Sequence, residues 1–120
     1  MLEHVLACLP EEACGILGGQ AGRVQVVVPV TNQLHSPVRF RMASEEQLRA
    51  FQFLEDQGLE MLAFFHSHPA GPSSPSATDL AEFAYPGVLA IIWSPGADGW
   101  QARAFQVDDG TICEVPFVIA

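Results

Sequence analysis

The stretch Leu59–Asp79, LEMLAFFHSHPAGPSSPSATD, decides the reading of this chain. Leu59–His68 is a largely apolar run ending in His66-Ser67-His68-Pro69, and it reads as a strand halted by proline. On a strand, side chains at i and i+2 share a face, so His66 and His68 project together. Pro69–Pro75 is a stiff Pro/Gly/Ser loop, and Ser76–Tyr85 follows as a predicted helix ended by Pro86-Gly87. With Ser76 as its N-cap, Asp79 falls at the third helical position, where its carboxylate can point back toward the strand end. Two imidazoles and one carboxylate make a three-ligand site for a borderline metal ion, with a fourth tetrahedral position left for water. A structural zinc site closes all four positions with Cys or His, so this pattern is that of a catalytic one.

The flanking sequence supplies the frame. Leu2–Leu9 reads as a short helix stopped by Pro10. Ala13–Leu17 and the Val-rich Arg23–Val30 form a predicted hairpin, with Gly18-Gly19 and Ala21-Gly22 supplying its turn. Arg39–Met42 is a shorter strand candidate. Ser44-Glu45-Glu46-Gln47 has capping-box spacing with Ser44 at the N-cap; Leu48, Phe51 and Leu54 follow at helical spacing, and Gly58 sits where a C-cap glycine ends a helix near Gln57. Val88–Trp93, Trp100–Phe105 and Thr111–Ile119 are predicted strands joined by Ser94-Pro95-Gly96 and Asp108-Asp109-Gly110 turns. Strands and helices interleave around a mixed or largely antiparallel sheet, an α/β layered domain spanning residues 1–120.

Composition narrows the partners. Apolar residues make up 49 % of the 120, which excludes intrinsic disorder and allows one core. Five Arg and no Lys stand against 14 acidic residues, a net charge of −9. Neither nucleic acid nor an anionic membrane is served by such a surface, because both need clustered cations. The longest apolar stretches, such as Val88–Trp93, are far too short to span a bilayer, and no basic segment followed by an apolar one opens the chain. The expected compartment is therefore the cytoplasm. Cys8, Cys14 and Cys113 are odd in number, widely spaced and without a C-x-x-C, so they read as reduced thiols rather than a disulfide framework.

A metal-activated water still needs a base to take its proton, and in other zinc hydrolases a carboxylate that does not ligate the metal fills that role. The candidates at an element boundary are Glu11 and Glu12, in Pro10-Glu11-Glu12-Ala13-Cys14-Gly15. Spacing alone does not choose between them.

Taken together, these residues resemble the JAMM (MPN+) metalloprotease family, whose signature is an upstream Glu, then H-[ST]-H-P, six residues, S, two residues and D. His66-Ser67-His68-Pro69, Ser76 and Asp79 match every position at the required spacing. The family's E-x-x-G at the start of the first strand falls on Glu12-Ala13-Cys14-Gly15, which selects Glu12 over Glu11. The likeness continues through Pro-x-Glu-x-Cys-Gly-x-Leu near the start, Asn32 after the second strand and the helix before the His strand. It implies a curved mixed sheet flanked by helices, akin to the cytidine deaminases. It also implies one Zn2+ per chain held by His66, His68 and Asp79, with Glu12 as general base and then acid. Ser76 would donate to the developing oxyanion. Family members cleave peptide or isopeptide bonds after the C-terminal glycines of ubiquitin or ubiquitin-like proteins. The short chain without insertions is similar to the bacterial and archaeal members, which act on ThiS/MoaD-like sulfur carriers. A carrier tail is expected to lie extended against a sheet edge, and the acidic surface favours a carrier with basic residues around that tail.

Each of these residues also has a plainer reading. An H-x-H alone is a half-exposed strand face, and Ser76-x-x-Asp79 alone is a capping box whose hydroxyl is occupied by a backbone N–H. Ser67 falls on the opposite strand face and reads as structural, Cys14 as a packed thiol, and His4 and His35 match no signature position. A catalytically silent scaffold is opposed by the filled ligand positions. A zinc deaminase needs an H-x-E and a P-C-x-x-C, and neither occurs. A general peptidase on unstructured peptides is the remaining alternative, and an exposed strand edge leaves room for a homodimer.

Overall fold

The computed structural model describes residues 1–77, 79, 87–108 and 111–117. The predicted helix Ser76–Tyr85 lies mostly outside the described residues, as do the Asp109-Gly110 part of the last turn and the end of the last predicted strand. Six strands, β1 (Cys14–Gln20), β2 (Arg23–Val30), β3 (Glu60–Ser67), β4 (Leu89–Gly96), β5 (Gly99–Asp108) and β6 (Thr111–Val115), form one sheet ordered β2-β1-β3-β4-β5-β6. The β3–β4 pair is parallel and every other pair antiparallel, so the sheet is mixed, as expected. Helices α1 (Leu2–Cys8) and α2 (Ser44–Asp56) complete the described elements.

Period-two alternation along the central strands fills two cores, one on each face. Val5 of α1 packs with Ala13, Leu17, Ala63, Phe65, Ile91, Trp93 and Ala104. On the opposite face, Ala50 and Leu54 of α2 pack with Cys14, Ile16, Val30 and Phe64, joined by Phe40 and Met42. Phe65, Ile16 and Leu17 are fully buried, each worth roughly 1.5–3 kcal/mol in transfer from water. His66 continues the series begun by Phe64, so it belongs to the α2 face.

Several local expectations shift for identifiable reasons. Gly18 and Gly19 belong to β1, not to the turn, which is Ala21-Gly22 with both residues at positive φ. A side chain on Gly18 would strike Leu54 of α2, and one on Gly19 would strike the Arg23 carbonyl, so close approach explains these glycines. Ser94-Pro95-Gly96 likewise belongs to a strand, and the turn falls on the next two residues, Ala97-Asp98. Arg39–Met42 makes only a single bridge, Asn32↔Met42. The N-cap of α2 is Ala43, one residue before Ser44, and it carries no side-chain cap bond; instead the Glu46 carboxylate accepts the Thr31 N–H at 3.0 Å. Leu48 is exposed, and the helix buries the Ala50/Leu54 stripe. Gln57 closes α2 and Gly58 follows at φ 68°, as a C-cap glycine should. Among the described residues no helix is long and apolar enough to cross a membrane.

Candidate metal centre

The sheet order settles which carboxylate faces the histidines. Strand β1 lies beside β3 with Cys14 opposite His66, and their ladder is extended by Ser67 N–H donating to the Ala13 carbonyl. Continuing this register by one residue sets Glu12 against His68. Glu12 is 4 % exposed, and its carboxylate supplies, with His66 and His68, three donor atoms all within 4.8 Å of one another. Glu11 instead reaches outward, 3.0 Å from Nδ1 of exposed His35. His4 stands apart as well, its Nε2 3.0 Å from the Cys14 carbonyl.

Asp79 arrives from the other side. Its Oδ2 lies 3.1 Å from His66 Nε2 and 3.2 Å from His68 Nε2, and the two nitrogens are 3.0 Å apart. A reciprocal capping pair sets it there: Ser76 N–H donates to Asp79 Oδ2 at 2.8 Å, and Asp79 N–H donates to Ser76 Oγ at 3.0 Å. The sequence reading set capping and catalysis in competition for the Ser76 hydroxyl, but they use different parts of it. The cap occupies a lone pair and leaves the O–H proton free to be donated.

Two imidazole nitrogens and a carboxylate oxygen converging on one point are a donor set that fits a metal ion. A tetrahedral centre with bonds of about 2.0–2.1 Å spaces its ligands by roughly 3.3 Å, close to this triangle. Nδ1 of His68 donates to the Pro72 carbonyl at 2.7 Å, which turns the Nε2 lone pair toward the site. His66 is stacked on Phe40 with ring centroids 4.4 Å apart, and its burial depresses its pKa, favouring the neutral ring a ligand needs. Glu12, whose carboxylate has an oxygen within 4.8 Å of donor atoms of His66 and His68, also has a buried Oε1 with no hydrogen-bond partner.

The two carboxyls are tuned in opposite directions. Burial pushes Glu12 up to about 7, with His68 pulling down and Asp79 pushing up. Burial presses upward on Asp79 too, but its bonds to His66 and His68 outweigh this and hold it well below the usual carboxylate range. Burial pulls His68 down, yet its bonds to Asp79 and the Pro72 carbonyl carry it above the ordinary histidine value.

Several supporting residues carried no local signal. Phe40 forms no predicted pair with His66 in sequence, and Arg103 sits two strands away, opposite Ile92, which is itself opposite His66. Its guanidinium donates to Ser73 Oγ at 2.7 Å and makes two 2.8 Å bonds to Glu114, tying the Pro/Ser loop to the sheet. Ser67, read as structural, accepts the Ala13 N–H at 2.8 Å on its hydroxyl. Cys14 is a packed thiol: it donates to the Val30 carbonyl, and burial foremost pushes its pKa up to about 12.

Comparison with known proteins identifies the family. The family described as prokaryotic homologs of the JAB domain matches residues 1–107. A CysO-cysteine peptidase of Mycobacterium tuberculosis is 32 % identical over 119 residues, covering 97 % of this chain and 82 % of the relative. A probable TtuB-protein conjugate cleaving protease of Thermus thermophilus is 36 % identical over 117 residues, covering 97 % and 74 %. A solution structure of a Desulfitobacterium hafniense protein superposes with a TM-score of 0.86 at 35 % identity, covering 98 % of this chain and 84 % of the other.

Proposed function

The chain belongs to the prokaryotic JAB-domain family of JAMM-type hydrolases, and on that premise we propose that it is a zinc peptidase or isopeptidase that hydrolyses the bond after the C-terminal Gly-Gly of a ubiquitin-like sulfur carrier. One observation carries the mechanism: His66 Nε2, His68 Nε2 and Asp79 Oδ2 converge within 3.2 Å beside a buried, unpartnered Glu12 oxygen. His66, His68 and Asp79 would hold one Zn2+, leaving Glu12 outside the ligand set. Zinc supplies Lewis acidity to the scissile carbonyl and to the attacking water.

The remaining steps belong to the protein. Glu12, with a carboxyl pushed up to about 7, is matched to take a proton from water near neutral pH and hand it to the leaving amine. Ser76 keeps its hydroxyl proton for the oxygen that gains charge as the tetrahedral state forms. The carrier as substrate is supported by the relatives, one named for a CysO-cysteine adduct and one for a TtuB conjugate. A cytoplasmic setting goes with that substrate, and the −9 charge suits a carrier whose tail is flanked by cations.

The test is mass spectrometry of a ThiS/MoaD-like protein extended by a short peptide after Gly-Gly. The expected result is release of the intact extension, blocked by chelator. Glu12→Gln should slow it about 10²–10⁴-fold while bound zinc stays near one per chain. Normal turnover in Glu12→Gln removes Glu12 from the mechanism. Cleavage of unstructured peptides with carriers untouched replaces the carrier by a general peptide substrate.

A further inference from the structure

Glu12 Oε1 is buried with no hydrogen-bond partner, so the hydrogen bonds that place this residue are those of its backbone. That backbone does not join the sheet. Glu12 N–H donates to the Ser36 carbonyl at 2.8 Å, and the Glu12 carbonyl accepts Asn32 Nδ2 at 3.0 Å. Both bonds lead into the loop that follows β2, and Asn32 is the centre of that loop. Its Nδ2 also donates to the Arg39 carbonyl at 3.0 Å and, at 3.4 Å, to the Ser36 carbonyl that receives the Glu12 N–H. Its Oδ1 accepts the N–H groups of Leu34 and Arg41, each at 3.1 Å. An amide has two N–H donors and two acceptor lone pairs, and here all are engaged in a side chain only 7 % exposed.

We propose that Asn32 is a positioning residue for Glu12: it fixes the backbone from which the carboxylate reaches the reacting water. This rests on the assignment of Glu12 as the base. The same amide that shapes the loop holds the Glu12 carbonyl, so a shift of the loop is passed to the base, while His66 is fixed by β3, His68 by its N–H to the Trp93 carbonyl and Asp79 by the capping pair. A misplacement on the order of 1 Å costs about 10²-fold in rate.

Asn32→Ala tests this on a ThiS/MoaD-like carrier extended after Gly-Gly. The expected result is a kcat reduced about 10–100-fold, with KM within about twofold and zinc near one per chain. Asn32→Gln keeps the amide's donors and acceptors but displaces them by one methylene, so it serves where Asn32→Ala yields too little folded protein. The deciding measurement combines each variant with Glu12→Gln. A residue that acts through Glu12 has nothing left to lose, so the double variant should be as slow as Glu12→Gln alone. An equal fold-loss in both backgrounds, or loss of zinc alongside activity, would overturn the proposal in favour of a general loosening of the site. Normal turnover in Glu12→Gln alone would instead remove the base assignment itself.

Discussion

Glu12 and Asp79 are two carboxylates at one centre, and the protein treats them oppositely. Glu12 leads into β1, is 4 % exposed, has an oxygen with no partner, and sits with its carboxyl pushed up to about 7 by burial. Asp79 reaches the centre across a Pro/Gly/Ser loop and is bonded to two imidazoles and the Ser76 N–H, which hold it charged against its burial. One is raised because the fold withholds partners; the other is lowered because the fold supplies three. Such a separation is what proton transfer and metal ligation require from chemically similar groups.

The largest expected effect comes from removing the partnered member. Asp79→Asn should lose zinc, measured as metal per chain, and fall to background activity, whereas Glu12→Gln keeps its zinc. Equal zinc contents in the two variants would erase the distinction. A second test reads stability against pH in chelator-treated protein. Between about pH 4.5 and 7 the native state keeps the Glu12 proton that the unfolded chain releases, so this group makes stability fall as pH rises. Glu12→Gln should melt with wild type near pH 4.5 and exceed it at pH 8 by on the order of 2 kcal/mol. The sign reverses for Asp79, whose lowered pKa contributes stability above its ordinary value of 3.8 that is lost as pH falls below it. Melting curves with the same slope for both variants would refute the contrast. The smallest effect is at the loop's tether to the sheet. Arg103→Ala, which releases Ser73 and Glu114, should weaken zinc binding by no more than about tenfold in a chelator competition. About 0.5 M salt should narrow the difference from wild type, because exposed ion pairs are screened. A complete loss of zinc would mean the loop has no other hold.

What could be read from sequence follows the same division. His66 and His68 share a face because alternation is local, and Ser76 and Asp79 cap one another because the capping box is a three-residue relation. The choice of Glu12 over Glu11 needed either the family likeness or the Cys14↔His66 register, a pairing across 52 residues that no local pattern encodes. Gly18, Gly19 and Ser94-Pro95-Gly96 misled because glycine and proline mark turns on average, while here Leu54 and the Arg23 carbonyl crowd the glycines. In sequence Asn32 is only one point of a family likeness; its bonds reach residues 12, 34, 36, 39 and 41, which a linear pattern cannot weigh.

The sheet also has a working end and a quiet end. Strands β3 and β4 run toward the metal centre and β1 runs away from it, so the Ala21-Gly22 turn closes the hairpin at the opposite end from His66 and His68. That turn is a handle: a fluorophore, a surface anchor or a fused reporter attached there sits away from His66 and His68. An immobilised form able to survey candidate substrates on a chip would be built from this end of the molecule.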